Sequence, residues 1–203
     1  YTHKGPSYCG KLFLNDLQVP QKLMDQTDYH CRLMEWNCLR TLLPKRCKDV
    51  HKGDCGHVLV IGGDYGMGGA VRLAAEAAAR VGAGLVTVAT RPEHVTIVSG
   101  TRPEIMCHQV TCQEDLMPLL ERASVVAIGP GLGKSEWARS LLAAVIDSKR
   151  PLVLDADGLN ILSEAPFQQS QWVLTPHPGE AARLLGISSE AVQAERFHAI
   201  TQL

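Results

Sequence analysis

No apolar run in this chain approaches the ~20 residues needed to cross a bilayer. The longest, such as Val58 to Ile61 and Val125 to Ile128, are of strand length, so no membrane partner is expected and the chain reads as soluble. Sustained basic runs are missing as well. Acid and base nearly cancel at a formal net charge of -1, which leaves no electrostatic footprint for nucleic acid and makes a small molecule the expected partner. The cysteines (Cys9, Cys31, Cys38, Cys47, Cys55, Cys107 and Cys112) include no CxxC pair, and their odd number suits neither a disulfide framework nor a zinc knuckle. Four of them fall between Cys31 and Cys55 beside His30, His51 and His57. The spacings there are irregular for zinc, so no metal site is expected and the thiols read as reduced. The start, Tyr1-Thr2-His3-Lys4-Gly5, has neither an initiator Met nor the features of a secretory signal. It is expected to be cut from a longer cytoplasmic protein. No repeat or low-complexity tract occurs.

What is present divides by texture. With 203 residues and 45% hydrophobic composition, the chain can bury one sizeable core with a short appendage. Residues 1–49 are polar and aperiodic, broken at Asn15-Asp16, Val19-Pro20 and Leu43-Pro44-Lys45-Arg46. Only Lys11 to Leu14 and Tyr29 to Leu39 read as short elements there, so the stretch is expected to be a domain's tail plus a linker.

From His57 onward, short apolar runs alternate with helical periodicity. The expected order is strand 58–61, helix 69–81, strand 85–89, helix or turn 92–98, strand 105–110, helix 114–122 and strand 124–128. Helix 135–146, strand 152–154, a helical turn near Leu159, strand 172–174 and two helices from Gly179 and Ser189 follow. In the first helix, Arg72, Glu76 and Arg80 recur every four residues and can pair on the wet face, while Val71, Ala74, Ala75 and Ala78 form a small-residue packing face. Gly82 and Gly84 are expected to end it. Strands alternating with helices on short connections require parallel crossovers, which predicts an α/β fold with helices on both faces of a mostly parallel sheet.

In such sheets ligands lie beyond the carboxyl ends of the strands, and four loops there carry chemistry. Gly62-Gly63-Asp64-Tyr65-Gly66-Met67-Gly68-Gly69-Ala70 is rich enough in glycine for backbone amides of Gly66, Gly68 and Gly69 to approach a phosphate at a helix start. It lacks the third glycine of a dinucleotide fingerprint, having Val71 in its place, and strand 85–89 is followed by no carboxylate, so the ordinary Rossmann reading is weak. Gly129-Pro130-Gly131-Leu132-Gly133-Lys134-Ser135 is one residue short of a P-loop, and Pro130 removes a donor. Gly131 and Gly133 therefore read as letting backbone lie against a ligand. Asp155 and Asp157, with Asn160 one turn on, could orient a ribose hydroxyl, a metal-bound water or a helix cap, and Asp157 alone reads as a cap. His177, between Pro176 and Pro178, has a stiffened backbone that favours a contact role.

These stretches, together with His51-Lys52-Gly53-Asp54, Arg80 to Val86, Thr101-Arg102-Pro103-Glu104 and Thr175 to Gly186, resemble in order the ADP- or ATP-dependent NAD(P)H-hydrate dehydratases. The likeness covers residues 51–190, and the first 45 or so resemble the tail of the epimerase domain that precedes the dehydratase in bifunctional members. It implies a ribokinase-like fold, with 1–49 as an epimerase-like tail and linker and 50–203 as the N-terminal portion of a dehydratase domain whose C-terminal part is missing. It also implies repair of hydrated NADH or NADPH. A nucleotide, ADP or ATP with Mg2+, phosphorylates the added hydroxyl, and loss of phosphate restores the double bond. By the same likeness Ala70, Gly131 and His177 line the hydrated-dinucleotide site, with Gly133, Asp155 and Asn160 as neighbours. Family members continue into a Gly-Met-Gly-Asp loop whose Asp is the base, and Leu203 is the last residue here. The 203 residues alone are expected to lack turnover; recovery of reduced-nicotinamide absorbance from hydrated NADH with ADP or ATP would refute this. An unpaired sheet edge would favour self-association. The alternatives are a small-molecule kinase of the same superfamily, such as a thiazole kinase, and an inactive dinucleotide-binding fragment.

Overall fold

The computed structural model describes residues 5–27, 31, 33–43 and 45–203. The N-terminal stretch contains three short helices, α1 (Gly5–Tyr8), α2 (Gln21–Met24) and α3 (Trp36–Leu42), none with a buried residue. Lys11 to Leu14 form neither helix nor strand, against expectation, because no neighbouring surface covers their side chains. Of the element expected over 29–39, residues 29, 30 and 32 lie outside the described residues, and the helix that does form starts later, at Trp36.

The remainder builds on six parallel strands: β1 (His57–Ile61), β2 (Leu85–Thr90), β3 (Met106–Gln109), β4 (Val125–Ile128), β5 (Leu152–Leu154) and β6 (Trp172–Leu174). Their order is β3-β2-β1-β4-β5-β6. The helices between them are α4 (Gly68–Arg80), α5 (Val95–Thr101), α6 (Gln113–Arg122), α7 (Glu136–Asp147) and α8 (Ala156–Leu162). After β6 come α9 (Pro178–Leu185), α10 (Ser189–Ala194) and α11 (Arg196–Gln202). The last was not anticipated, because Glu195, at φ -128° and ψ 55°, breaks what reads in sequence as one helix. Among the described residues no helix is long and apolar enough to cross a membrane.

Two-residue alternation splits the core in two. Leu59 and Ile61 of β1 join Leu116, Leu120, Leu141, Val145 and Leu159 from α6 to α8 on one face. Val60 joins Val86, Val88, Val71, Ala75 and Val98 on the other, under α4 and α5. Alanine lets α4 sit close to the sheet, and its wet face carries the Arg72–Glu76 and Arg80–Glu76 ion pairs at 2.9 and 3.9 Å. Arg102, from beyond α5, adds a third arm to Glu76 at 3.3 Å.

At the end of α4, Gly82 takes φ 104°, and Ala83 N donates to Ala78 O at 3.0 Å, a Schellman closure. Gly84 serves differently. A Cβ there would stand 1.6 Å from Lys52 O, so the glycine admits the 3-10 turn Lys52–Cys55 against the sheet's lower edge.

Candidate functional site

The strand order reverses between β1 and β4, which opens a crevice at their carboxyl ends. Both glycine-rich loops, 62–70 and 129–133, leave from those two strands. They are locked together there. Gly63 N donates to Pro130 O at 3.1 Å and Asp64 N to Gly131 O at 2.6 Å. A Cβ on Gly62 would stand 2.1 Å from Pro130 O, so only glycine permits the approach.

Gly131, at φ 60°, would direct a Cβ to 2.8 Å from the Cβ of Met67 and 3.1 Å from that of Ala70. Two residues expected to share a site are thus in contact, and the glycine is required by the packing of loop on loop. Gly133, at φ 68°, abuts the Asp64 carboxylate in the same way, at 3.0 Å.

The expected phosphate loop divides in role. Gly66 and Gly69 have nothing within 4 Å of where a Cβ would lie, whereas Gly68 is pressed against the His94 ring at 2.6 Å. That ring is buried, and its Nδ1 lies 3.0 Å from Gly63 O. The amides of Gly66, Gly68 and Gly69 carry no protein acceptor among the described residues, while Ala70 N turns back onto Met67 O at 3.1 Å.

Asp64 organises the rim, a role the sequence reading missed. Its buried carboxylate accepts from Arg91 Nε and Ser135 Oγ, each at 2.8 Å, and from Tyr65 N at 3.0 Å. Burial pushes its pKa up. The hydrogen bonds from Arg91, Ser135 and Tyr65 N–H, with the Arg91 charge, outweigh that and hold the carboxyl below its ordinary range. Ser135 also caps α7, accepting from Ala138 N at 3.4 Å. One carboxylate thereby ties the loops after β1, β2 and β4. A single acid inside a glycine run, with an arginine directly after a strand, was the available signal.

The loop after β5 contains Ala156 at φ 47°, a left-handed conformation that is strained for a residue with a Cβ. Nothing in the sequence marks it. The Asp155 peptide lies against Gly129, where a Cβ would come within 1.7 Å of Asp155 O. Asp155 occupies the N-cap position of α8 without capping through its side chain, and its half-buried carboxylate has no protein partner among the described residues.

Asp157 is not the cap that the sequence predicts. Already inside the first turn, it accepts from Gly133 N at 2.9 Å and from Asn160 Nδ2 at 3.3 Å. Asn160 passes the link on, its Oδ1 accepting from Arg183 Nε of α9 at 2.7 Å. Both ends of Asn160 are therefore engaged by protein.

His177 stands where α9 begins, at the same carboxyl edge, and caps that helix. Its Nδ1 accepts from Gly179 N at 3.0 Å, and its own backbone N donates to Glu180 Oε2 at 2.8 Å. The accepting Nδ1 places the ring proton on Nε2, 3.2 Å from Glu180 Oε1. Proline on either side and this reciprocal cap fix an imidazole that is 62% exposed. Lys134 reaches toward Glu164 at 4.0 Å, in keeping with a loop that is not a P-loop.

Comparison with known proteins places the chain in a family. A model of the NAD(P)H-hydrate dehydratase family matches residues 58–203. Over 203 residues the chain is 64% identical to the bifunctional NAD(P)H-hydrate repair enzyme Nnr of Coxiella burnetii, covering 100% of this chain and 42% of that protein. It therefore spans less than half of that relative's length. A ribokinase-like superfamily protein from Enterococcus faecalis aligns with a TM-score of 0.74 at 28% identity, over 86% of this chain and 64% of that one. The ADP/ATP-dependent NAD(P)H-hydrate dehydratase of Bacillus subtilis, crystallised with ATP and Mg2+, gives 0.68 at 28% identity, over 79% and 58%. With the sheet, both locked glycine loops and the His177 cap all inside the matched span, the chain belongs to the NAD(P)H-hydrate dehydratase family and its fold is ribokinase-like.

Proposed function

We propose that this chain carries the dinucleotide-side rim of a nucleotide-dependent dehydratase that returns the S form of hydrated NADH or NADPH to the reduced cofactor, a cytoplasmic metabolite repair. The observation that supports this best is the locking of two glycine loops across the β1/β4 crevice, with unspent amides on one side and the unpartnered Asp155 carboxylate farther along the same edge. In this reading Ala70, Gly131 and His177 line the dinucleotide, with Gly133 and Asn160 beside them. The amides of Gly66, Gly68 and Gly69 face its phosphates, and Asp155 orients a hydroxyl.

Its relatives are named for NAD(P)H-hydrate repair and for ADP/ATP dependence, so ADP or ATP with Mg2+ is the cofactor we assign. That nucleotide supplies the phosphoryl group that turns the added hydroxyl into a leaving group. Among the described residues no three His, Cys, Asp or Glu gather as a metal site. The described residues thus make no cage of their own for Mg2+. Residues 1–49 are assigned to a preceding epimerase-like domain and 50–203 to the dehydratase, and the open outer edge of β6 to self-association.

Calorimetric titration of the chain with hydrated NADPH tests the reading. Saturable binding is expected, and Ala70→Leu should abolish it while leaving the thermal transition in place. No binding by the unaltered chain overturns the proposal.

A further inference from the structure

Arg91 is held more firmly than its structural role requires. Its Nε donates to Asp64 Oδ1 at 2.8 Å, and its guanidinium carbon lies 4.6 Å from the Tyr65 ring centroid and 4.1 Å from that of Trp137. Trp137 is itself fixed, its Nε1 donating to Val110 O at 2.9 Å. Two aromatic faces and a carboxylate thus set both the plane and the rotation of a side chain that is only 13% exposed.

A guanidinium presents a fork of donors, and here only Nε is spent. The terminal amino groups of Arg91 have no protein acceptor among the described residues. Arg72 and Arg183 also spend only Nε, but on more exposed side chains, while other arginines commit their terminal groups. Arg139 commits both terminal groups to Glu164, Arg102 divides its own between Glu76 and Glu104, and Arg150 reaches Glu121 O. Among the described residues only Gln169 Oε1 is a fully buried side-chain polar atom without a partner, so the terminal groups of Arg91 stay reachable from solvent on a side chain that is otherwise covered, and an acceptor from outside the protein can engage them. Asp64 meets the guanidinium through Nε alone, which leaves the terminal amino groups as donors for another acceptor.

Position names the acceptor. Arg91 directly follows β2, at the carboxyl edge that carries the glycine loops, and Asp64 binds it to the loop whose amide reaches Gly131. The Asp64 carboxylate takes the Nε side of this cation, and an anionic ligand at that edge is what its remaining donors suit. We propose that the terminal amino groups of Arg91 form a phosphate subsite that takes phosphate oxygens of the hydrated dinucleotide; this rests on the dinucleotide reading of the rim. A planar fork already immobilised by stacking loses little freedom on engaging two such oxygens.

The experiment compares the 203-residue chain with its Arg91→Gln and Arg91→Lys variants. Binding of reduced nicotinamide riboside, NADH and NADPH is followed by ligand-observed NMR, and far-UV circular dichroism checks the fold. Arg91→Gln is expected to weaken phosphate-bearing ligands by about tenfold or more and to leave the phosphate-free riboside unchanged. Arg91→Lys, which keeps the charge without the fork, should fall between. Loss for both NADH and NADPH assigns the subsite to the pyrophosphate, and loss for NADPH alone assigns it to the 2′-phosphate. Equal loss for all three ligands overturns the proposal in favour of a strut, as does no loss for any. If the unaltered chain binds none of them, the dinucleotide reading itself falls and the subsite with it.

Discussion

At the scale of single residues, the rim is built from backbone that only glycine can supply and from one acid that holds it in place. Gly131 shows the first constraint. Its φ of 60° and the 2.8 Å approach to Met67 mean that Gly131→Ala adds left-handed strain, about 1–3 kcal/mol, and a clash that one of the loops must relieve by moving. A lower urea midpoint, with an unchanged m-value, is the expected result; a variant as stable as the parent would mean the loops are not locked as described. Asp64 shows the second. Since its folded pKa lies below its unfolded value, its contribution is present above the unfolded pKa of about 3.9 and is lost as pH falls through the folded value. Asp64→Asn removes this dependence. Below about pH 4 the parent's urea midpoint should drop more steeply than the variant's, and parallel curves would show that the Arg91 and Ser135 bonds add nothing.

At the scale of elements, the strands were legible because their residues face two cores. β1 alternates Leu59 and Ile61 against Val60 between opposite faces, and its apolar run announces that double burial in sequence. Helix ends were less legible, because capping depends on which partner the fold brings near. Asp157 has the right residue type for a cap, yet Asp155 holds the N-cap position and tertiary contact gives Asp157 Gly133 N instead. The same holds across the rim. The glycine loops could be read from composition, whereas the Asp64–Arg91 pair joins residues 27 positions apart and needs the sheet register to become visible. Ser135 links both levels, capping α7 while donating to Asp64. Loss of an N-cap side chain costs about 0.5–2 kcal/mol, and the Asp64 bond adds to it. Ser135→Ala should therefore fall at or above the top of that range, while Ser188→Ala, at a cap whose side chain has no partner among the described residues besides Ala191 N, should fall inside it. Equal costs in chemical denaturation would remove Ser135 from the rim's scaffold.

At the scale of the whole molecule, the two textures of the sequence correspond to two degrees of packing. Leu14 is 93% exposed, Phe13 83% and Tyr8 82%, and among the described residues before position 44 no helix has a buried residue, so no core there receives these side chains. Packing onto the sheet begins with Arg46, whose guanidinium donates to Gly82 O, and continues where the Lys52–Cys55 turn meets Gly84. Exposed backbone without buried anchors is where proteases cut first, because local opening there costs little. Limited trypsin digestion should thus cleave at Lys11, Lys22 or Arg40 and leave a product that starts near Arg46 and retains the thermal transition of the uncut chain. Chymotrypsin, cutting at Phe13 and then at the exposed Trp36 and Leu42, should arrive at nearly the same core. If cleavage inside α4 to α9 competes with these cuts, the sheet is not the stable body of the molecule. If the N-terminal stretch resists both enzymes, its apolar side chains are covered in solution by a second copy, which the mass of the undigested protein would show.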